Sequence, residues 1–126
     1  MKRFIATALA ASLALVVPAG VASAGDNDVE RTGPCGSSSD WKLKLSPEDG
    51  GLEVEFEVDQ NVSGDRWRVK IRHDGDLVFT DTRRTHGASG SFEVRIVEDD
   101  RTGTDRFRAK ARNLSTEEVC VGAASF

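Results

Sequence analysis

The chain has 126 residues, with 17 Lys or Arg against 21 Asp or Glu, so its formal net charge at pH 7 is −4. This length fits one domain with a modest core. The acidic balance excludes binding to nucleic acid or anionic membranes through net charge. Two cysteines and two histidines, all far apart in the sequence, are too few for a structural zinc site.

The first 24 residues have the organisation of a secretory signal peptide. Lys2 and Arg3 precede an uncharged apolar run at residues 4–17, and small residues at 22–24 form a cleavage pattern. The run is shorter than the roughly 20 residues that cross a bilayer. We therefore predict cleavage after Ala24 and a secreted, extracellular mature chain without a transmembrane segment. That chain would keep 15 cations and 21 anions, a net charge of −6.

The mature sequence divides into a polar start and one domain. Residues 25–40 are rich in Gly, Ser and acidic side chains, which is typical of a flexible N-terminal segment. Residues 41–126 form the predicted domain. Cys35 and Cys120 lie near the two ends of the mature chain, and in an exported protein we expect them to form a disulfide.

From Trp41 onward, apolar and charged residues alternate with a period of two. This period is typical of strands with one buried face, and Gly- and Asp-rich turn signals separate the segments. About seven short antiparallel strands are predicted, which favours an all-β sandwich. The predicted core consists of Trp41, Leu43, Leu45, Leu52, Val54, Phe56, Val58, Trp67, Val69, Ile71, Phe92, Val94, Ile96, Phe107, Ala109 and Ala111.

Two segments resemble strands of immunoglobulin-like domains. Residues 67–75 are similar to the third strand of that family, which buries a Trp between the sheets. Residues 103–113 are similar to the sixth strand, where an acidic residue precedes an aromatic by two, although Phe107 replaces the usual Tyr. The resemblance implies an immunoglobulin-like sandwich whose first and last strands are neighbours, which would bring Cys35 and Cys120 together.

The overall pattern is similar to small secreted proteins of actinobacteria with an immunoglobulin-like β-sandwich. That resemblance implies export and a fold, and it implies no particular activity.

No motif indicates catalysis. His73 and His86 lack a sequence context that would bring a nucleophile and an orienting acid to them, so we interpret them as structural or exposed. Acidic turns near residues 59–65 and 98–105 offer oxygen ligands for calcium but do not have EF-hand spacing. The sequence therefore predicts a protein that is not an enzyme, with no catalytic residue, no cofactor and no metal ligand.

Charge is sorted by strand in this sequence. The exposed positions of the segment at 52–58 are acidic, namely Glu53, Glu55 and Glu57. The exposed positions of the segments at 66–72 and 106–112 are basic. The candidate ligand-binding residues are these eight cations: Arg66, Arg68, Lys70, Arg72, Arg106, Arg108, Lys110 and Arg112.

The role of the basic rows depends on which strands are neighbours. In an immunoglobulin-like sandwich the two basic strands are adjacent, and eight cations would line one face. In a simple meander the acidic row would instead lie beside the row at 66–72 and neutralise it. Even in the sandwich, Arg and Lys stems could simply cover apolar surface. Carboxylates on flanking segments could also reach across, namely Asp76, Asp81, Glu117 and Glu118.

The leading hypothesis is a secreted binding module whose basic face contacts an anionic polymer or an acidic protein surface. One alternative is a small-molecule carrier similar to the apoproteins of enediyne antibiotics, which have two disulfides where this chain can form one. Another alternative is an inhibitor of a secreted hydrolase, although no cysteine braces its longer loops.

Overall fold

The computed structural model describes residues 27–126, and the predicted signal peptide lies outside them. This part of the chain is all-β. No helix within it is long and apolar enough to cross a membrane. The strands are β1 (Val29–Pro34), β2 (Asp40–Glu48), β3 (Gly51–Asp59), β4 (Arg66–His73), β5 (Asp76–Arg84), β6 (Ser91–Asp99), β7 (Arg106–Asn113) and β8 (Val119–Ser125).

The strands form two four-stranded antiparallel sheets that enclose one core. Sheet I has the order β1-β2-β3-β6, and sheet II has the order β5-β4-β7-β8. Four hairpins pair consecutive strands, namely β1–β2, β2–β3, β4–β5 and β7–β8. β3 pairs with β6 and β4 pairs with β7 across longer connections. The predicted all-β sandwich is confirmed, with eight strands in the described residues where about seven were expected.

The additional strand is β1, which lies in the segment predicted as a flexible lead-in. It pairs with β2 from Val29 opposite Leu45 to Pro34 opposite Asp40. Most of its side chains are exposed and do not alternate between apolar and polar. Backbone hydrogen bonds at a sheet edge therefore form this strand, and hydrophobic periodicity could not reveal it.

The core follows the predicted alternation closely. Every predicted core residue is buried except Trp41 and Ile96, which are partly buried and pack against the core. Buried and exposed positions alternate without exception in β4 and β7. This strict alternation sends all the charged side chains of both strands to the outer face of sheet II.

Trp41 closes the edge of the sandwich where β1 and β2 meet β8. A Cβ atom on Gly33 or Gly122 would lie 2.8 or 2.7 Å from its ring, so both positions must be glycine for the indole to fit. The predicted Cys35–Cys120 disulfide is present and joins residues 85 positions apart. The two sheets are therefore linked covalently along this edge.

Candidate functional site

The two basic strands are neighbours. In the β4–β7 ladder, each cation in the middle of one strand lies opposite a cation of the other. We call these the three cation pairs: Arg68 with Arg112, Lys70 with Lys110, and Arg72 with Arg108. The two basic strands are therefore adjacent, as expected for the sandwich. The meander arrangement, which would place Glu53, Glu55 and Glu57 beside β4, is absent from the described residues.

The strand positions of sheet II that face outward carry cations and no carboxylates. Arg66 and Arg106 extend the two basic rows beyond the three cation pairs, and Arg84 of β5 lies opposite Arg66. The remaining outer positions of β5 and β8 are neutral, as with Thr82 beside Arg68 and Val121 beside Lys110. We call the surface formed by the eight predicted cations the basic face.

No carboxylate in the described residues neutralises the basic face at close range. Within residues 27–126, none of its eight cations forms an ion pair with a carboxylate, in contrast to Lys44, Arg83, Arg95 and Arg101 elsewhere. Arg72 donates a hydrogen bond from Nη1 to the carbonyl oxygen of Gly75 at 3.2 Å. Each of the eight side chains is exposed.

The flanking carboxylates bind elsewhere. Asp81 pairs with Arg83, and hydrogen bonds from the Thr82 amide and Arg83 hold the pKa of Asp81 below its usual range. Asp76 binds Arg101 at 3.0 Å. Of the four carboxylates that the sequence allowed to reach the basic face, Asp76 is therefore engaged elsewhere, and Asp81 is bound to Arg83 while the charge of Arg68 also helps to lower its pKa.

Glu118 is the third, and it binds across the edge of the sandwich. It accepts hydrogen bonds from the amides of Ser37 at 2.6 Å and Ser39 at 3.1 Å, and from the Ser39 hydroxyl. Glu118 therefore anchors the β1–β2 loop to the start of β8. Glu117 is exposed.

Sheet I pairs two members of its acidic row, Glu53 and Glu55, with cations, whereas Glu57 lies between Lys42 and the like-charged Glu93. Glu55 lies opposite Lys44 on one side and Arg95 on the other. Arg95 binds Glu53 at 2.8 Å and Glu55 at 3.2 Å, and Lys44 lies 3.8 Å from Glu55. A hydrogen bond with Glu48 and the contact with Arg95 lower the pKa of Glu53, whereas burial and the neighbouring Glu53 raise that of Glu55.

A second cluster of ionisable groups surrounds His73 at the end of β4. The imidazole is fully buried and stacks on Phe107, with ring centroids 4.2 Å apart. Its Nδ1 lies 3.0 Å from Glu98 Oε1, and its Nε2 lies 2.6 Å from Asp105 Oδ1. The sequence predicts a structural or exposed His73, and it gives no indication of these carboxylate partners.

Asp105 is the most enclosed carboxylate of this cluster. Burial acts to raise its pKa, but hydrogen bonds from His73 and from the Arg101 amide outweigh burial and hold the pKa below its usual range. The second oxygen, Oδ2, is buried without a hydrogen-bond partner in the described residues. A hydrogen bond with Asp105 raises the pKa of Asp100. Asp74 Oδ2 lies 3.7 Å from His73 Nε2.

One sequence signal could have located this cluster. His73 has the inward parity of Trp67, Val69 and Ile71, and Asp105 has the inward parity of Phe107. Two ionisable residues at buried positions need partners, but the sequence could not identify those partners, because they lie on three different chain segments.

Comparison of the chain with protein-family models, with curated proteins and with solved structures gives no match. The function is therefore argued from the geometry of the two clusters.

Proposed function

We propose that the protein is a secreted, non-enzymatic binding module that uses the basic face to bind an anionic ligand. One observation carries this proposal, namely the direct pairing of β4 with β7, which places like charges opposite each other in the three cation pairs. The proposed ligand is an anionic polymer of the cell envelope or of the extracellular space, or an acidic protein surface.

Electrostatic energy supports a role in binding. Like charges directly opposite each other on an antiparallel pair destabilise it by some tenths of a kcal/mol per pair. The chain is acidic overall, yet no carboxylate in residues 27–126 forms an ion pair with the basic face, although the charge of Asp81 attracts Arg68; on sheet I, by contrast, Glu55 pairs with Lys44 and Arg95. An anion that bridges two facing cations would turn the repulsion into attraction, which gives the arrangement a purpose.

The chemistry of the basic face favours phosphate, sulfate or carboxylate groups. Six of its eight cations are arginines, whose planar guanidinium groups bind such anions through two parallel hydrogen bonds. Two open grooves run between the cation pairs, and Lys70 and Lys110 line both of them. No aromatic residue stands at an outer strand position of sheet II in residues 27–126, so ring stacking does not contribute there.

The dimensions of the basic face favour an extended ligand. A strand rises about 3.3 Å per residue, so the row from Arg66 to Arg72 is roughly 20 Å long. A small anion would contact one or two cation pairs, whereas a polymer or a protein surface would contact all three.

The strand order also supports an immunoglobulin-like topology as the finer description of the fold. In that topology the third and sixth strands of the domain pair in one sheet, as β4 and β7 do. A disulfide is consistent with an oxidising compartment, and with the signal-peptide pattern it supports export.

Binding to a cation exchanger and to two soluble polyanions, heparin and inorganic polyphosphate, tests the function. At neutral pH and low salt we expect the purified protein to be retained despite its acidic net charge and to bind both polyanions with affinities that fall steeply with salt. Arg68→Gln with Arg112→Gln should weaken binding by about tenfold or more and reduce the salt slope by about two.

The matched control is Lys42→Gln with Lys44→Gln, which removes two charges on sheet I and should leave retention and affinity unchanged. If the wild-type protein flows through the exchanger and binds neither polyanion, the proposal is wrong. Equal weakening by the two double variants would also contradict it, because net charge alone would then govern binding.

A further inference from the structure

The cluster around His73 is independent of the basic face and combines an imidazole with several carboxylates. We propose that His73, Asp74 and Asp105 bind a first-row divalent metal ion, of which Zn²⁺ is the best match. The coordinating atoms would be His73 Nε2 and one carboxylate oxygen from each aspartate. These three donor atoms lie within 4.8 Å of one another.

The separations of the donor atoms are close to those of a coordination sphere. Zinc–nitrogen and zinc–oxygen bonds are about 2.0 to 2.2 Å, so ligands at neighbouring tetrahedral positions lie about 3.3 Å apart. Nε2 of His73 is 2.6 Å from Asp105 Oδ1 and 3.7 Å from Asp74 Oδ2. To bind zinc, the distance from Nε2 to Asp105 must lengthen and the distance from Nε2 to Asp74 must shorten, each by roughly half an ångström. Rotation of the two aspartate side chains can supply these changes.

Glu98 supplies the outer-shell contact that metal-binding histidines usually make. Its Oε1 lies 3.0 Å from His73 Nδ1 and would accept the Nδ1–H hydrogen bond. This contact places the Nδ1 proton on the Glu98 side, so an ion that binds Nε2 would replace the contact that Nε2 makes with Asp105 at 2.6 Å. Stacking on Phe107 holds the imidazole plane in place. The ring is therefore oriented before any ion arrives.

The unpartnered oxygen of Asp105 is the second observation that points to a cation. Asp105 is fully buried, and its Oδ2 has no hydrogen-bond partner in the described residues. An unsatisfied buried carboxylate oxygen is costly. A divalent ion bound by the Asp105 carboxylate would compensate that cost.

The site has an entrance at Asp74. Its side chain is 30% exposed, whereas His73 and Asp105 are fully buried. Arg101 lies at this entrance, 3.7 Å from Asp74 and 3.0 Å from the exposed Asp76. An ion that binds Asp74 would leave Arg101 paired with Asp76.

The donor set favours a borderline metal over calcium, because imidazole is a ligand of zinc, nickel, copper and iron.

The test is calorimetric titration of the purified protein, prepared without a polyhistidine tag and stripped with a chelator, with ZnCl₂ and separately with CaCl₂. We expect one Zn²⁺ per chain and a higher melting temperature with Zn²⁺. The ¹⁵N signals of the His73 ring should shift on zinc addition, whereas those of His86 should not.

Asp74→Asn tests the site without removing a buried group. Loss of an outer-shell contact alone weakens metal affinity 10- to 100-fold, so loss of this ligand should weaken zinc binding by at least about tenfold. The matched control is Asp76→Asn, which removes one charge from the other partner of Arg101 and should leave zinc affinity unchanged.

Three results would overturn the metal site. These are no zinc uptake at millimolar concentration, equal weakening by Asp74→Asn and Asp76→Asn, and binding of Ca²⁺ without Zn²⁺. The outcome is separable from polyanion binding, because Arg68→Gln with Arg112→Gln should leave zinc affinity unchanged.

Discussion

The two outer faces of the sandwich share one alternating pattern and differ in what lies across the strand from each charge. On sheet I, Glu55 lies between Lys44 and Arg95. On sheet II, Lys70 lies opposite Lys110, and the outer neighbour on its other side is Thr80. The first face pairs opposite charges at its centre, although Glu57 lies opposite Glu93 near one end. The second has three facing cation pairs that no ion pair within residues 27–126 offsets, so cross-strand neighbours distinguish the basic face as the candidate binding face.

The largest stability effect that we predict concerns Glu118, which links the two sheets instead of neutralising the basic face. Burial alone would raise its pKa, but hydrogen bonds from Ser39 and Ser37 outweigh burial and hold the pKa below the usual range. Glu118→Gln should lower the free energy of unfolding by about 1 to 2 kcal/mol, after allowance for its partial exposure. Chemical denaturation at neutral pH measures this loss.

The same substitution gives a pH test. Because the folded-state pKa of Glu118 is depressed, its contribution is complete above the unfolded value of about 4.3 and is lost as the pH falls through the folded value. The difference in melting temperature between the wild-type protein and Glu118→Gln should therefore shrink below about pH 4. A difference that stays constant into strong acid would contradict the assigned ionisation.

The second prediction concerns a charge reversal at Glu55 on the outer face of sheet I. Glu55→Lys places three cations side by side on sheet I and should lower the free energy of unfolding by about 1 kcal/mol. Glu55→Gln is the control, and it should cost less because it removes attraction without adding repulsion. Denaturation at low and high salt should show the difference between the two variants narrowing with salt. Equal costs at low salt would mean that the charge of Glu55 is not what stabilises this face.

The smallest effect is the converse substitution on the basic face. Lys70→Glu places a carboxylate opposite Lys110 and should raise the free energy of unfolding by some tenths of a kcal/mol. Lys70→Gln should give a smaller gain, and salt should stabilise the wild-type protein more than Lys70→Glu. Loss of stability in Lys70→Glu relative to Lys70→Gln would show that the cation pairs do not repel. A gain in stability together with a loss of polyanion binding would show that the cation pairs lower stability and contribute to binding.

Much of the fold could be predicted because the alternation of burial is a local property. The positions of Leu43, Val54 and Val69 follow from the period of two, and each is fully buried. β1 could not be predicted in this way, because its side chains carry no alternation and its stability comes from pairing with β2. Trp41 was placed in the core by parity, but it lies at the sandwich edge and is only partly buried.

The candidate sites could likewise be predicted only where they depend on local alternation. The alternating pattern identified Arg68 and Arg108 as exposed cations, each on the outward face of its strand. Their strands are about forty residues apart, and the sequence could not decide whether they were neighbours. His73 was underestimated for the same reason, because Glu98 and Asp105 reach it from the end of β6 and from the connection to β7.

The sequence by itself determined the all-β class, the buried and exposed face of each strongly alternating strand, and the sorting of charge into acidic and basic rows. These properties depend on residues within one strand, where side chains alternate between two faces. Tertiary structure alone decided that the two basic rows meet, that Glu53 and Glu55 of the acidic row meet cations within sheet I, and that a buried histidine lies between carboxylates. Those properties depend on pairing between distant segments, because the energy of a charge is set by its neighbours in space.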